Sequence, residues 1–269
     1  TRQRLDLAER DLVALARVLG TDPDELRGEL ARRPWYVNDV LRNPAIADAV
    51  LKGADDLGPG DISPALFFAV VAHCAAAELA TTSWVADWMG PAERLPVFDV
   101  EPLLEFTDAP GRLTFVSSLL ADFVAPGLGP VPGGSQDLDE LVDWLEAVEP
   151  ADRIALLRHL GDLALFKAGV FPDSTGAEPM GPAQAVHLGR SVGMSDEEIE
   201  ELSDPCSPTP GLDALERLGS AWYRAAAEAS PTTPTVLRDI AARIRPARRF
   251  LNHLADTYLH PVQPGSAFS

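Results

Sequence analysis

An all-α fold, a multi-helix bundle of about ten to twelve helices, is predicted by three observations. Apolar residues recur at helical period from end to end, while strand-like alternation is almost absent. Helix starts are written into the chain, as in Asp22-Pro23-Asp24-Glu25 and Ser63-Pro64. Finally, 46% apolar residues at a mean hydropathy near zero supply enough core to offset the entropy of folding.

Taken in order, Leu5, Ala8, Leu12, Leu15, Ala16 and Leu19 mark the first helix face. Asp22 then caps a second helix that runs to about Arg32, and Pro34 and Pro44 bracket a short third one. The turn cluster Gly58-Pro59-Gly60-Asp61 precedes a long helix, residues 64–84, that is apolar on nearly all faces and is expected to be a central, buried element. Leu95 to Pro102 reads as extended and then caps another helix, and Leu113 to Val124 reads as helix. The Pro/Gly run of residues 125–136 cannot propagate helix or sheet and reads as a linker or lid. It divides an N-terminal helical part, 1–124, from a C-terminal bundle, 137–269. Helices are expected there near Leu138–Val148, Arg153–Ala168, Pro182–Val192, Asp196–Ser203, Leu212–Ala229 and Val236–Leu259, the last kinked or split at Pro246.

The net charge of −19 opposes phosphate backbones and anionic lipid heads, so neither nucleic acid nor a membrane surface is an expected partner. The longest apolar stretch, Ala65 to Ala80, is interrupted by His73 and Glu78 and falls short of the roughly 20 residues that cross a bilayer. With no secretion or lipidation signal read, a cytoplasmic protein is expected. Cys74 lies in an apolar helix and Cys206 in a Pro/Ser loop, which gives no disulfide framework. Lys52 and Lys167 are the only lysines, a bias that points to a GC-rich bacterial genome.

Ionisable groups on apolar helices are paired or functional. His159 and Asp162 lie three apart, as do His253 and Asp256, so each pair shares a helix face. A polar core cluster of these four residues is one expectation. Joined by His73 and Glu78, they would offer nitrogens and carboxylates suited to iron or manganese in a helical bundle. The simpler reading is separate local pairs, because the sequence contains no Glu-x-x-His and because His73 and Glu78, five apart, diverge by about 140° around a helix. Adjacent His73 and Cys74 point about 100° apart, which favours a structural cysteine over an activated one.

Trp84 and Trp88, four apart on one helical face with Phe98 shortly after, could wall an apolar pocket or an interface between copies. Arg243, Arg245, Arg248 and Arg249 form a basic patch suited to an anion or an acidic partner, or else a solvated face with internal ion pairs. Gly161 would let a neighbouring helix approach closely. Phosphate loops, nucleophile elbows and dinucleotide fingerprints are all missing.

His159–Asp173, then Ser220-Ala221-Trp222-Tyr223-Arg224-Ala225-Ala226, then Phe250–Leu259, resemble a loose group of bacterial all-helical proteins with no assigned activity. In that group a Leu-Gly-Asp helix runs into a Gly-x-Phe-Pro-Asp/Glu turn. The resemblance covers about residues 150–262 and implies that Asp162, Phe171, Pro172, Tyr223 and Asn252 form a common unit.

The function expected from these features is a non-catalytic binding or regulatory protein that holds a protein partner or a small apolar ligand in a helix groove, with no cofactor. The alternative is a helical-bundle oxidoreductase with iron, manganese or haem. A homo-oligomer joined through the Trp84 and Trp88 region is a third possibility.

Overall fold

The computed structural model describes residues 5–53, 57–58, 60–124, 135–230 and 235–260. Among these the chain forms α1 (Glu9–Leu19), α2 (Pro23–Arg32), α3 (Tyr36–Leu41), α4 (Pro44–Lys52) and α5 (Pro64–Leu79), then a hairpin of β1 (Val85–Gly90) and β2 (Glu93–Val97). There follow α6 (Glu101–Thr107), α7 (Pro110–Val124), α8 (Leu138–Ala147), α9 (Pro150–Val170), α10 (Pro172–Thr175) and α11 (Pro182–Arg190). The last helices are α12 (Asp196–Leu202), α13 (Pro210–Ala229), α14 (Thr235–Ala242) and α15 (Ile244–Leu254), which runs into a π-helical turn, Ala255–Leu259. The fold is all-α, with fifteen α-helices and one two-stranded sheet among the described residues.

A chain with 24 prolines can be this helical because so many of them stand where a helix needs no N–H. Pro23, Pro44, Pro64, Pro110, Pro150, Pro172, Pro182 and Pro210 each open a helix. Asp22 accepts from the Asp24 and Glu25 amides at 2.9 and 3.3 Å, and Ser63 Oγ accepts from the Leu66 amide at 3.1 Å. Pro246 also acts as its chemistry requires: the last long pattern divides at Arg243, between α14 and α15. The expected central helix stops at Leu79, five residues short of Trp84. Residues 125–134 of the Pro/Gly segment lie outside the described residues.

The chain divides into two compact units. One comprises the described residues of 2–82 and 107–125, the other those of 83–106 and 126–269. In the first, α5 packs on α7 and α4, and α1 on α2 and α4. Its core joins Leu15, Leu26, Leu41, Ile46, Leu66 and Val70. Fully buried Asp11 ties α1 to the start of α5, accepting from the Ser63 amide at 2.6 Å, from the Ser63 hydroxyl at 2.7 Å and from the Ala8 amide at 2.8 Å.

In the second unit α9 packs along α13 and also meets α15. Two glycines set these approaches. A Cβ on Gly161 would stand 2.7 Å from the Tyr223 ring, and one on Gly169 2.6 Å from Leu251 Cβ. The close approach expected at Gly161 is therefore present, and Tyr223 fills it. Among the described residues no helix is long and apolar enough to cross a membrane.

Candidate functional site

Among the described residues the hairpin is the one sheet, and polar side chains distant in the chain anchor it. Its register pairs Val85 with Val97, Asp87 with Leu95 and Trp88 with Arg94, with a bulge before Gly90 pairs with Glu93. Pro91 fixes the first turn position, and Ala92 takes φ 58°, a left-handed conformation that costs a residue with a Cβ about 1–2 kcal/mol. Asp173, in α10, holds it there. Its Oδ1 accepts from the Ala92 amide at 3.0 Å, from Trp88 Nε1 at 2.7 Å and from Arg94 Nη1 at 3.2 Å. Arg94 also bonds Asp256 through Nε at 2.9 Å and Nη2 at 3.2 Å, so one guanidinium bridges two carboxylates.

Partial burial pushes the Asp173 carboxyl upward, but donation from Arg94, Trp88 and Ala92 outweighs it and leaves the group below its usual range. A depressed carboxylate contributes stability above the unfolded value and loses it as pH falls through the folded one. Substituting Ala92→Gly should relieve the turn. After the greater chain entropy of glycine is subtracted, a gain of about 0.5–1 kcal/mol is expected, read by urea denaturation. No gain would mean that the turn carries no strain.

Behind the hairpin lies the arginine row. Arg248 donates to Glu216 at 2.8 Å, to Asp87 at 2.9 Å and to Asn252 Oδ1 at 2.7 Å. Arg249 Nε stands 2.9 Å from Asp87 Oδ2, an ion pair without hydrogen-bond alignment, and its Nη1 donates to the Asp99 carbonyl at 3.3 Å. Arg245 engages Glu216 and Asp213, each at 2.9 Å, and Arg243 pairs with Asp239. These carboxylates, Glu216 first, raise the Arg245 pKa against the opposing effect of burial. Every guanidinium of the basic patch thus already serves an internal carboxylate, the internally paired arrangement that the sequence offered beside an anion or partner site.

Asn252, oriented by Arg248, donates to the carbonyls of Ala168 at 3.1 Å and Gly169 at 2.7 Å. These belong to the last turn of α9, where no intrahelical donor remains, so the amide closes the helix end. A continuous polar path thus runs from Asp87 through Arg248 and Asn252 to α9, with a branch to Glu216 on α13. The charges are desolvated but matched, as buried charges must be.

Of the expected His/Asp cluster, both carboxylates have partners on other elements. Buried Asp162 accepts from the Tyr223 hydroxyl at 2.8 Å and lies 3.4 Å from Arg158 Nε. Burial first, and then Asp162, raise the Tyr223 pKa well above the phenol range, keeping the hydroxyl a donor. Asp256 belongs to Arg94. His159 and His253 are half-buried, and Glu78 is exposed. Among the described residues no three His, Cys, Asp or Glu side chains stand where they could share a metal ion. Of the unit implied by the resemblance, Asp162 meets Tyr223 and Asn252 meets α9, while Phe171 packs edge-on against Phe166.

His73 is buried in the first unit, with Nδ1 2.8 Å from the Ala69 carbonyl and Nε2 without a hydrogen-bond partner among the described residues. Burial holds its pKa below the usual imidazole value, against the opposite pull of that carbonyl. The fold therefore keeps its full stability above the unfolded value of about 6.5 and loses it as pH falls toward the folded one. A His73→Met variant should stay within about 1 kcal/mol of the parent at neutral pH and lose less between pH 7.5 and 5. Denaturation curves at the two pH values check this; an unchanged decline would exonerate His73.

The aromatic trio is divided. Trp84 and Trp88 do not share a helical face, because Trp88 lies in β1 and Trp84 just before it. Trp88 is buried at 2% exposure over Gly176, whereas Trp84 and Phe98 are 47% and 72% exposed, and Leu95, paired with Asp87 in the register, is 46% exposed. Trp84 and Phe98 sit one position beyond the Val85–Val97 pair, at the open end of the hairpin. An enclosed apolar pocket is thus not what this trio makes. A cleft of about 380 Å³ elsewhere in the unit is lined by Glu198, Glu216, Arg217, Arg224 and Arg245 beside Met194 and Ile244, an ionic lining ill suited to an apolar ligand.

Sequence reasoning passed over Asp87, Arg94 and Glu216, and met Asp173 only as the last residue of the Gly-x-Phe-Pro-Asp turn. Gly90-Pro91 between two short apolar runs is the turn signal that could have revealed the hairpin. Compared with protein-family models, curated proteins and solved structures, the chain matches none of them.

Proposed function

We propose that this chain is a non-catalytic binding protein that presents the hairpin to a protein partner. One observation carries the reading: Trp84, Leu95 and Phe98 are exposed on an element whose turn and inner face are pinned by Asp173, Arg94, Arg248 and Arg249. Large aromatic side chains in water contribute little to folding, and held rigidly they lose little entropy when a partner covers them. The polar lining of the cleft argues for a protein partner over a small apolar ligand. Nothing in the donor geometry favours a metal oxidoreductase.

A random peptide display selection on the full chain tests the reading, with a Trp84→Ala/Phe98→Ala variant screened in parallel. Enriched peptides should bind the parent and lose about tenfold or more on the variant, whose stability should fall by less than about 1 kcal/mol. Failure to enrich any binder, or binders indifferent to the two substitutions, would overturn the assignment.

A further inference from the structure

We infer that the partner segment joins an apolar anchor to positive charge, and that it docks by inserting side chains rather than by adding a third strand. The inference rests on the docking reading above and adds the partner's chemistry. Exposed carboxylates stand beside these apolar residues in the chain: Glu93 two positions before Leu95, and Asp99 and Glu101 just after Phe98. Two cations beside them offer little relief: Arg94, next to Leu95 in the chain, is committed to Asp173 and Asp256, and Arg249, which reaches the Asp99 carbonyl, to Asp87. A chain of net charge −19 repels a second copy of itself and any anionic lipid surface. A cationic rim around an apolar anchor is the complement.

The backbone disfavours the other common mode. A free sheet edge recruits an extended chain by offering alternating N–H and C=O groups. On β2, Pro96 has no N–H, and just beyond the strand the Phe98 carbonyl already accepts from the Val100 amide at 3.1 Å. On β1, the Trp88 amide donates to Asp87 Oδ1 at 3.0 Å. Both edges are depleted where an added strand would need them, while the side chains at the open end remain exposed.

The experiment uses an anchor recovered from hairpin-dependent binders, resynthesised with lysine, serine or glutamate flanks and titrated by fluorescence anisotropy against the full chain. The lysine form should bind about tenfold more tightly than the glutamate form at roughly 50 mM salt, and the gap should shrink about threefold at roughly 300 mM. A Glu93→Gln/Asp99→Asn/Glu101→Gln variant should close the gap while leaving the serine form unchanged. N-methylating the anchor backbone should change affinity by less than about twofold, because no ladder is formed. A charge gap that is absent, or that survives the triple variant, overturns the inference while leaving the docking reading intact. Loss of binding on N-methylation overturns the side-chain mode. A dimer in light scattering that competes with the peptides assigns the surface to a second copy and overturns the basic partner. If no anchor can be recovered at all, the docking reading itself has failed.

Discussion

Replacing Arg248 with alanine should cost about 3–5 kcal/mol, among the largest losses available to a single substitution in this chain. The side chain is 7% exposed and serves Glu216, itself 7% exposed, and Asp87, 16% exposed. Removing it leaves two desolvated carboxylates with one guanidinium each, Arg245 on Glu216 and Arg249 on Asp87, and frees the amide of Asn252 from its orienting contact. The penalty comes chiefly from stranding those acids, not from losing an attraction, so Arg248→Lys should recover only part of it: an ammonium cannot reach three acceptors in the fork geometry. Urea denaturation of the three proteins gives the comparison. A loss below about 1 kcal/mol for the alanine variant would mean that water reaches both carboxylates and that the path is not a structural core.

Trp88→Ala should cost a similar amount, about 3–5 kcal/mol, by a different route. The indole is 2% exposed and so closely seated that a Cβ on Gly176 would stand 2.7 Å from its Cη2, and its Nε1 donates to Asp173 at 2.7 Å. Truncation empties that seat and takes one of three donors from Asp173. Trp88→Phe separates the contributions: it keeps most of the packing, loses the donor, and should cost about 1–2 kcal/mol. If the alanine and phenylalanine variants fall together, the hydrogen bond outweighs the packing; if neither falls, the hairpin is loosely held and the docking reading loses its rigid scaffold.

The helices were legible because their signals are local. Asp22-Pro23 and Ser63-Pro64 state their caps within four residues, and Pro246 states its break within one turn. The count was less so, because a helix as short as α10 carries too few turns to show a period. The hairpin escaped for a physical reason. Val85-Ala86-Asp87-Trp88 buries its first and fourth residues, a spacing that fits a helix as readily as a strand. What holds it extended is Asp87 meeting Arg248, 161 positions away, and Arg94 meeting Asp256, 162 away. Pairings at that range leave no mark on a local pattern. For the same reason Asp162 and Asp256 could be recognised as needing partners, while Tyr223 and Arg94 could not be assigned to them.

Those separations impose an order on biosynthesis. At a ribosomal rate of roughly 5–20 residues per second, some 160 residues take on the order of ten seconds or longer to follow the hairpin out of the exit tunnel. Throughout that interval Trp84, Leu95 and Phe98 have been made, and the α15 arginines that will fasten their strands have not. A nascent chain stalled before Arg248 would therefore carry a greasy, unfastened ribbon, exposed until α15 is made.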